Sequence, residues 1–282
     1  MAFLGLGRMG ALMAGRVAGA GFPLAVWNRT ERADAVPEGA RLASSPRDAA
    51  AGAEIVVTMV ADAAALDAVL DGPDGVLAGA RPGTVLVDMS TVGPDAARDV
   101  ARRCVEAGVA FLDAPVSGST PAAASGQLVA MVGGDEAVLA LARPVLAAMT
   151  RDQRWLGPSG AGAAMKVALN LAVAITNQSV AEVLALAERA GIARARAYDV
   201  LTAGAVASPY VQYKRDAFLD PDSAPVAFSI DLMAKDVRLA LGVAHETGVT
   251  LPLAETVSWE LERARAADLG AHDLAGVLGM YA

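Results

Sequence analysis

Residues 2–21 read AFLGLGRMGALMAGRVAGAG. A short apolar run, the triplet Gly5-x-Gly7-x-x-Gly10 and an alanine-rich helical pattern ending at Gly21 spell a strand, a tight turn and a helix. In a unit of this kind Gly5 permits the turn, Gly7 lets the backbone approach a pyrophosphate, and Gly10 lets the helix pack on the sheet. The free N–H groups of the helix N-terminus then face the phosphates. The next strand, Pro23 to Trp27, begins about where a βαβ unit of roughly 30 residues places it. The stretch therefore predicts a dinucleotide site contacted by Gly5, Leu6, Gly7, Arg8, Met9 and Gly10. Only four residues precede Gly5, so the first strand is either trimmed or minimal.

At the tip of the second strand an NAD-binding unit carries Asp or Glu for the ribose hydroxyls, whereas this chain has Asn28-Arg29-Thr30. A guanidinium matches a phosphate with paired hydrogen bonds, and Asn28 and Thr30 add neutral donors without repelling the dianion. The expectation is a preference for NADP(H) over NAD(H). The plainer reading makes Arg29 a surface arginine and Thr30 the N-cap of the following helix.

Strand and helix patterns continue to alternate as far as Leu156, which predicts a doubly wound parallel sheet covered on both faces. Ligands of such sheets bind beyond the carboxyl ends of the strands. The turns after Val60, Asp88 and Asp113 lie at that edge, so Val60 is counted with the cofactor contacts. Two unusual loops lie there too, one with Ser90 and Thr91, the other with Ser117, Gly118, Ser119 and Pro121. Beyond Gly157-Pro158-Ser159-Gly160 the strand signal disappears. Long helices are expected at about 161–190, 194–202, 230–246, 252–267 and 272–278, with turns near Pro209, Pro221 and Pro225. The chain is thus divided into a Rossmann domain over residues 1–160 and a smaller all-α substrate and dimerisation domain over 161–282, joined by the long helix at about 161–190.

That joining helix carries one charge. Between Arg154 and Glu182 the only charged side chain is Lys166. At 3.6 residues per turn Asn170 lies one turn beyond it and Asn177 close to the same line, among Met165, Val167, Leu169, Leu171, Val173 and Ile175. A lysine whose stem packs on the helix and whose head reaches water gives the same pattern. An ammonium facing an interdomain cleft is the alternative, since small-molecule sites form preferentially between domains.

Composition narrows the function classes. With Lys+Arg 23 against Asp+Glu 31, the net charge of −8 argues against nucleic acid as a partner. The two histidines, His245 and His272, lie far apart without clustered ligands, which leaves no metal site and no histidine relay to expect. The single cysteine, Cys104, reads as structural. The uncharged run of the joining helix, 167–181, is short for a bilayer and carries Asn170, Asn177 and Gln178. The first ten residues hold a strand and a turn in place of a signal peptide, so a cytoplasmic protein without membrane contact is expected.

Four motifs together resemble the β-hydroxyacid dehydrogenase family: Gly5-Leu6-Gly7-Arg8-Met9-Gly10, Asp88-Met89-Ser90-Thr91-Val92-Gly93-Pro94, Asp113-Ala114-Pro115-Val116-Ser117-Gly118-Ser119, and Gly162 with Lys166 and Asn170. Lys235-Asp236-Val237-Arg238-Leu239-Ala240 resembles the lysine-aspartate motif of the same family. The resemblance covers nearly the whole chain. It implies hydride transfer between nicotinamide and a small substrate bearing a carboxylate, with Lys166 as acid/base and Asn170 orienting the hydroxyl or the ammonium. Chemistry agrees, because a carbonyl reduced by hydride needs a proton for its oxygen and a lysine in an apolar cleft can have its pKa lowered toward neutrality. By the same resemblance Ser117, Gly118 and Ser119 hold the carboxylate, and Thr91 sits beside nicotinamide and substrate. Lys235 touches cofactor or substrate, and Phe228 walls the pocket. A homodimer or homotetramer is implied as well.

Ser119 stands where many members of the family have glycine. With Asn28-Arg29-Thr30, Pro121 and Ala164-Met165-Lys166, the wording is nearest to glyoxylate and succinic semialdehyde reductases, which use NADPH. An NADP-linked 3-hydroxyisobutyrate or other 3-hydroxyacid dehydrogenase is the alternative within the same chemistry. Imine reductases, which generally lack the lysine at this position, are another. A dinucleotide-binding sensor or scaffold without turnover is the alternative outside it.

Overall fold

The computed structural model describes residues 1–221 and 223–281. The chain separates into two compact units, Met1–Lys166 and Val167–Ala282.

The first unit begins with β1 (Ala2–Leu4), α1 (Gly10–Gly19), β2 (Ala25–Trp27), β3 (Arg41–Leu42) and α2 (Pro46–Ala50). It continues with β4 (Ile55–Thr58), α3 (Ala63–Leu70), α4 (Val76–Gly79), β5 (Val85–Asp88), α5 (Pro94–Glu106) and β6 (Ala110–Asp113). β7 (Val116–Ser117), α6 (Thr120–Ala124), β8 (Leu128–Gly134), α7 (Glu136–Met149) and β9 (Thr150–Gly157) complete its sheet. The strand order is β3-β2-β1-β4-β5-β6-β8-β7, with β9 paired to β8. From β3 to β6 all neighbours run parallel, whereas β8 runs antiparallel to β6 and β7 and parallel to β9. The parallel reading therefore holds for the dinucleotide half, and the edge beyond β6 is mixed. The short β7 and α6, absent from the sequence reading, flank the Ser117–Ser119 loop.

The period of two along each strand divides its residues between two cores. Phe3, Val57, Val85, Val87 and Leu112 pack with Met13 and Val17 of α1 and Leu139 and Leu146 of α7. Ala2, Leu4, Val56, Leu86 and Phe111 pack on the opposite face with Leu66, Leu70, Val100 and Cys104 of α3 and α5. Burial drives the Cys104 thiol up to about 12, which leaves it an apolar filler. On the α3–α5 side, the half-buried Arg103 joins Asp67, Asp71 and Asp99 and so ties the two helices together.

α8 (Ala161–Arg189) starts in the first unit and continues into the second. By length and composition alone this helix could cross a membrane. Four of its polar residues, Lys166, Asn170, Asn177 and Gln178, are buried in the protein. The second unit adds α9 (Arg194–Ala203), α10 (Pro209–Tyr213), α11 (Arg215–Leu219), α12 (Ile230–Thr247) and α13 (Pro252–Ala266). A 3₁₀ segment over Leu274–Tyr281 stands where the periodicity predicted an α-helix. The apolar core gathers Leu184, Tyr198, Val211, Phe218, Ile230, Met233, Val237, Leu261 and Leu278.

One charged pair lies inside that core. Lys214 Nζ donates to Asp273 Oδ1 at 2.6 Å and to Oδ2 at 2.8 Å, with both residues buried. Asp273 also accepts from the backbone N–H of Ala227, Phe228 and Ala275. Burial pulls the Lys214 ammonium below its usual range, and Asp273 opposes that shift. The pair fastens the 3₁₀ segment and the turn before α12 to the end of α10. Lys214→Met leaves a buried carboxylate uncompensated, so a loss of about 3–5 kcal/mol is expected in urea unfolding. A loss below about 1 kcal/mol would show that Asp273 is satisfied without the lysine.

Candidate active site

Three groups of predicted residues lie at the carboxyl edge of β1, β2 and β4. Gly5 has φ +99°, and a Cβ there would stand 2.2 Å from the Met59 carbonyl oxygen. A Cβ on Gly10 would stand 1.9 Å from the Gly5 carbonyl oxygen, so the turn closes only on hydrogen at both positions. Gly7 differs: a Cβ there meets nothing within 4 Å. It faces open space, as a backbone that receives a pyrophosphate must. Arg8 is exposed beside it, Leu6 is buried beneath, Met9 is half-buried, and Val60 is half-buried at the end of β4.

Asn28 has an internal role. Its Oδ1 accepts from Leu6 N at 2.8 Å and its Nδ2 donates to the Thr30 carbonyl at 2.7 Å, so the amide braces the glycine turn and holds the next loop. Nor does Thr30 cap a helix, because the 3₁₀ turn that follows begins at Ala33, behind Arg32. Arg29 is exposed and makes no ion pair among the described residues, whereas Arg32 pairs with Asp34 and Arg41 with Asp48. These residues fit a nicotinamide dinucleotide: an open glycine at a helix N-terminus and an uncommitted guanidinium one strand away.

The next edge is built on two buried aspartates that open two of the sequence motifs but had no role assigned from the sequence. Asp88 ends β5 directly beside Asp113, which ends β6. Asp88 Oδ1 accepts from Thr58 Oγ1 at 2.7 Å and from Ser90 Oγ at 2.6 Å, and Ser90 Oγ in turn accepts from Val60 N at 2.9 Å. Ser90 is thereby a brace between the β4 and β5 loops, and it sets the position of half-buried Thr91. Burial raises the Asp88 carboxyl to about 6, against the opposing hydrogen bonds of Ser90 and Thr58. Its Oδ2 has no partner among the described residues. Asp113 is raised by burial too, and the backbone N–H groups it receives oppose the shift.

Beyond Asp113, Ser117 and Ser119 are half-buried and Gly118 is exposed. Ser119 occupies the N-cap position of α6 without using its side chain there. Neither serine hydroxyl makes a hydrogen bond among the described residues, so both remain available to a ligand.

α8 brings Lys166 and Asn170 one turn apart on one face. Lys166 is 9% exposed and Asn170 5%. In the second unit Asn170 Nδ2 donates to Asp236 Oδ2, and Lys235 Nζ pairs with Asp236 Oδ1 at 2.9 Å. The lysine-aspartate motif thus joins Asn170 through a buried carboxylate, whereas Lys235 itself is only partly buried. A signal for Asp236 existed: it shares the inward face of α12 with Met233, Val237 and Ala240. Phe228 is half-buried at the entry to α12, and its backbone N–H is held by Asp273.

Fold and edge define a dinucleotide-dependent oxidoreductase with a lysine on the helix that follows its Rossmann unit. The chain belongs to the β-hydroxyacid dehydrogenase family and is an NAD(P)-dependent 3-hydroxyacid dehydrogenase by class. Residues 1–157 match the NAD binding domain of 6-phosphogluconate dehydrogenase, and residues 160–281 match the NAD-binding domain of NADP-dependent 3-hydroxyisobutyrate dehydrogenase. Among its relatives, 2-(hydroxymethyl)glutarate dehydrogenase of Eubacterium barkeri is 33% identical over 99% of this chain and 93% of that protein. An NAD-dependent L-serine dehydrogenase of Pseudomonas aeruginosa is 36% identical over 90% of this chain and 88% of its own length. The structure of Mycobacterium tuberculosis 3-hydroxyisobutyrate dehydrogenase with L-serine superposes with a TM-score of 0.84 at 33% identity, covering 99% of this chain and 97% of that one.

The Asp88 carboxyl supplies a test of the edge. Its native value of about 6 lies above the ordinary 3.8, so the folded protein holds an extra proton between the two. The stabilisation from that proton is complete below pH about 4 and is lost as pH rises through about 6. Asp88→Asn is expected to remove a pH-dependent contribution of about 3 kcal/mol. Unfolding free energies measured from pH 4 to 7 should therefore fall less in the variant than in the parent. Equal slopes would mean that Asp88 titrates in the fold as it does in the unfolded chain.

Proposed function

We propose that this chain transfers hydride between NADP(H) and a small carboxylate-bearing 3-hydroxy acid or its semialdehyde, with Lys166 as the acid/base. The observation that carries the proposal is the buried Lys166 one turn before Asn170, on a helix with no other charge from Trp155 to Ala181. Taking an amine that must gain and lose a proton out of water costs free energy, which a residue without chemical duty has no reason to bear. The nicotinamide, when bound, supplies the hydride acceptor or donor. In oxidation Lys166 Nζ takes the hydroxyl proton as the C–H bond to the carbinol carbon breaks; in reduction it returns that proton to the carbonyl oxygen. Asn170, whose Nδ2 is given to Asp236, orients the substrate hydroxyl or the Lys166 ammonium. The hydroxyls of Ser117 and Ser119, with the backbone at Gly118, bind the carboxylate.

The molecules named with the relatives share one unit. 2-(Hydroxymethyl)glutarate, L-serine and 3-hydroxyisobutyrate each carry a hydroxymethyl group on the carbon that bears a carboxylate. This supports a 3-hydroxy acid of that pattern as substrate. A glyoxylate or succinic semialdehyde reductase is the second reading, favoured by the uncommitted Ser119 hydroxyl beside Ser117. A screen of 3-hydroxyisobutyrate, L-serine, tartronate semialdehyde, glyoxylate and succinic semialdehyde with both cofactors separates the two. Turnover of cyclic imines with no activity on this panel would overturn both. Lys166→Ala is expected to lower kcat by about 10²–10⁴-fold with dinucleotide binding retained. Unchanged turnover would remove Lys166 from the mechanism, and a parent protein that binds NADPH without turning over any substrate would be a sensor or scaffold.

The names of relatives point to either cofactor, so the NADP(H) preference rests on Arg29. Arg29→Ala should weaken NADPH by about 1.5–3 kcal/mol, the worth of a charged hydrogen bond, and leave NADH nearly unchanged. Equal weakening of both would refute the phosphate role.

A homodimer or homotetramer completes the proposal. α8 leaves Ala168, Ala172, Ser179, Val183 and Leu186 exposed at spacings of three, four and seven, Leu186 at 72%. A second copy covering this line accounts for so much apolar exposure on a long helix. Light scattering should then give a multiple of the chain mass for the parent and a smaller species for Leu186→Glu. A monomeric parent would end this part of the proposal.

A further inference from the structure

Asp113 stands on a strand, yet most of its bonds are to the helix that begins some fifty residues later. Its Oδ1 accepts from Gly160 N at 2.8 Å and its Oδ2 from Ala163 N at 2.8 Å, and the N–H of Gly162 adds to the set. These are the orphan donors at the start of α8, which elsewhere go to a neighbouring Ser, Thr or Asp. Here the cap comes from the end of β6. Lys166 follows one turn after Gly162, and the loop with Ser117 and Ser119 follows Asp113 directly.

Two glycines make the contact possible. A Cβ on Gly162 would stand 2.3 Å from the Met131 carbonyl oxygen and 2.6 Å from that of Asp113. A Cβ on Gly133 of β8 would stand 2.6 Å from Asp113 Oδ1 and 2.9 Å from Gly162 N. Helix, β6 and β8 therefore meet at backbone distance around one carboxylate. Asp113 is almost fully buried, and Asp88 ends the neighbouring strand beside it. Asparagine serves less well, with one acceptor oxygen for three donors, and serine is too short to reach N–H groups at both ends of the turn.

We propose that Asp113 is a positioning residue of the dehydrogenase reaction. Its carboxylate fixes the first turn of α8 so that Lys166 is held in register with the Ser117–Ser119 loop growing from the same strand end. This rests on the reading of Lys166 as the acid/base. Both reacting groups of the first unit are referred to one anchor, so a shift of the helix start displaces the proton-transfer group from a substrate whose carboxylate stays in place. A displacement of about 1 Å costs on the order of 10²-fold in rate.

Two unrelated changes disturb the same contact. Asp113→Asn turns one acceptor into a donor that faces an N–H group. Gly162→Ala keeps the carboxylate but pushes the first turn away from Met131 and Asp113. Each is expected to lower kcat by about 10–100-fold, while KM for substrate and the dissociation constant of NADPH change less than about threefold. The deuterium isotope effect on kcat, measured with substrate deuterated at the carbinol carbon, should rise in both because the chemical step becomes slower than product release. The double variant should be no slower than the slower single one, since both break one contact. A merely structural role lowers the melting temperature and the active fraction without moving the isotope effect. Unchanged kcat and isotope effect in soluble, NADPH-binding variants would overturn the proposal while Lys166→Ala still abolishes turnover. If Lys166→Ala itself retains turnover, the acid/base reading fails first and separately.

Discussion

The constraint on which the candidate site depends is the approach of a helix start to the ends of two strands. α8 can carry Lys166 into the first unit only because Gly133 and Gly162 present hydrogen where any other residue would present Cβ. Into that narrow gap Asp113 places two oxygens that satisfy N–H groups otherwise buried without partners. The geometry leaves little freedom. A helix held at its first turn by charge-assisted hydrogen bonds and by backbone contact is fixed in axial position and in rotation, and rotation decides which side chain at the fourth or fifth residue faces the strand ends.

The same device recurs through the fold. Asp88 gathers Thr58 and Ser90 at the ends of β4 and β5, Asp236 receives Asn170, and Asp273 receives three backbone N–H groups together with Lys214. Each is a buried aspartate at a place where the chain turns or where elements meet. An ionised carboxylate is an acceptor with about four lone-pair sites, so one residue collects several donors that a neutral side chain would leave unpaired. The cost is desolvation, which is why Asp88 and Asp113 sit above their ordinary range. The two faces of the sheet supply the apolar burial against which such costs are set, with strand residues alternating between the α1–α7 core and the α2–α5 core.

Most of the fold was legible because its signals are local. The glycine turn, the apolar strands and the long helical periods each occupy a short window, and those elements stand within a few residues of the sequence reading, whereas the short β7, α6, α10 and α11 were not foreseen. What the reading missed depends on partners far along the chain. The antiparallel placement of β8 follows from its pairing with β6 and β7, and no period within residues 128–134 encodes it. The 3₁₀ form of the C-terminal segment follows from Lys214, from Asn177, which donates to the Leu274 carbonyl, and from Gln178, which donates to Tyr281. The brace that Asn28 gives the glycine turn was likewise invisible, because the sequence shows its type and position, not that the Leu6 amide lies 2.8 Å away.

By itself the sequence determined that a dinucleotide turn opens a doubly wound sheet, that a helical unit follows, and that one lysine on the connecting helix is out of keeping with its apolar surroundings. Those conclusions need only the rise of a strand, the pitch of a helix and the steric demands of glycine, all of which act within a few residues. Tertiary structure alone decided which polar side chains brace the fold and which stay available to a ligand. It committed Ser90, Asn28, Asp88 and Asp113 to internal hydrogen bonds and left the hydroxyls of Ser117 and Ser119 and the guanidinium of Arg29 unspent among the described residues. The physical reason is that a hydrogen bond is settled by distance and direction to a partner, and the partners here stand 22 to 50 residues away.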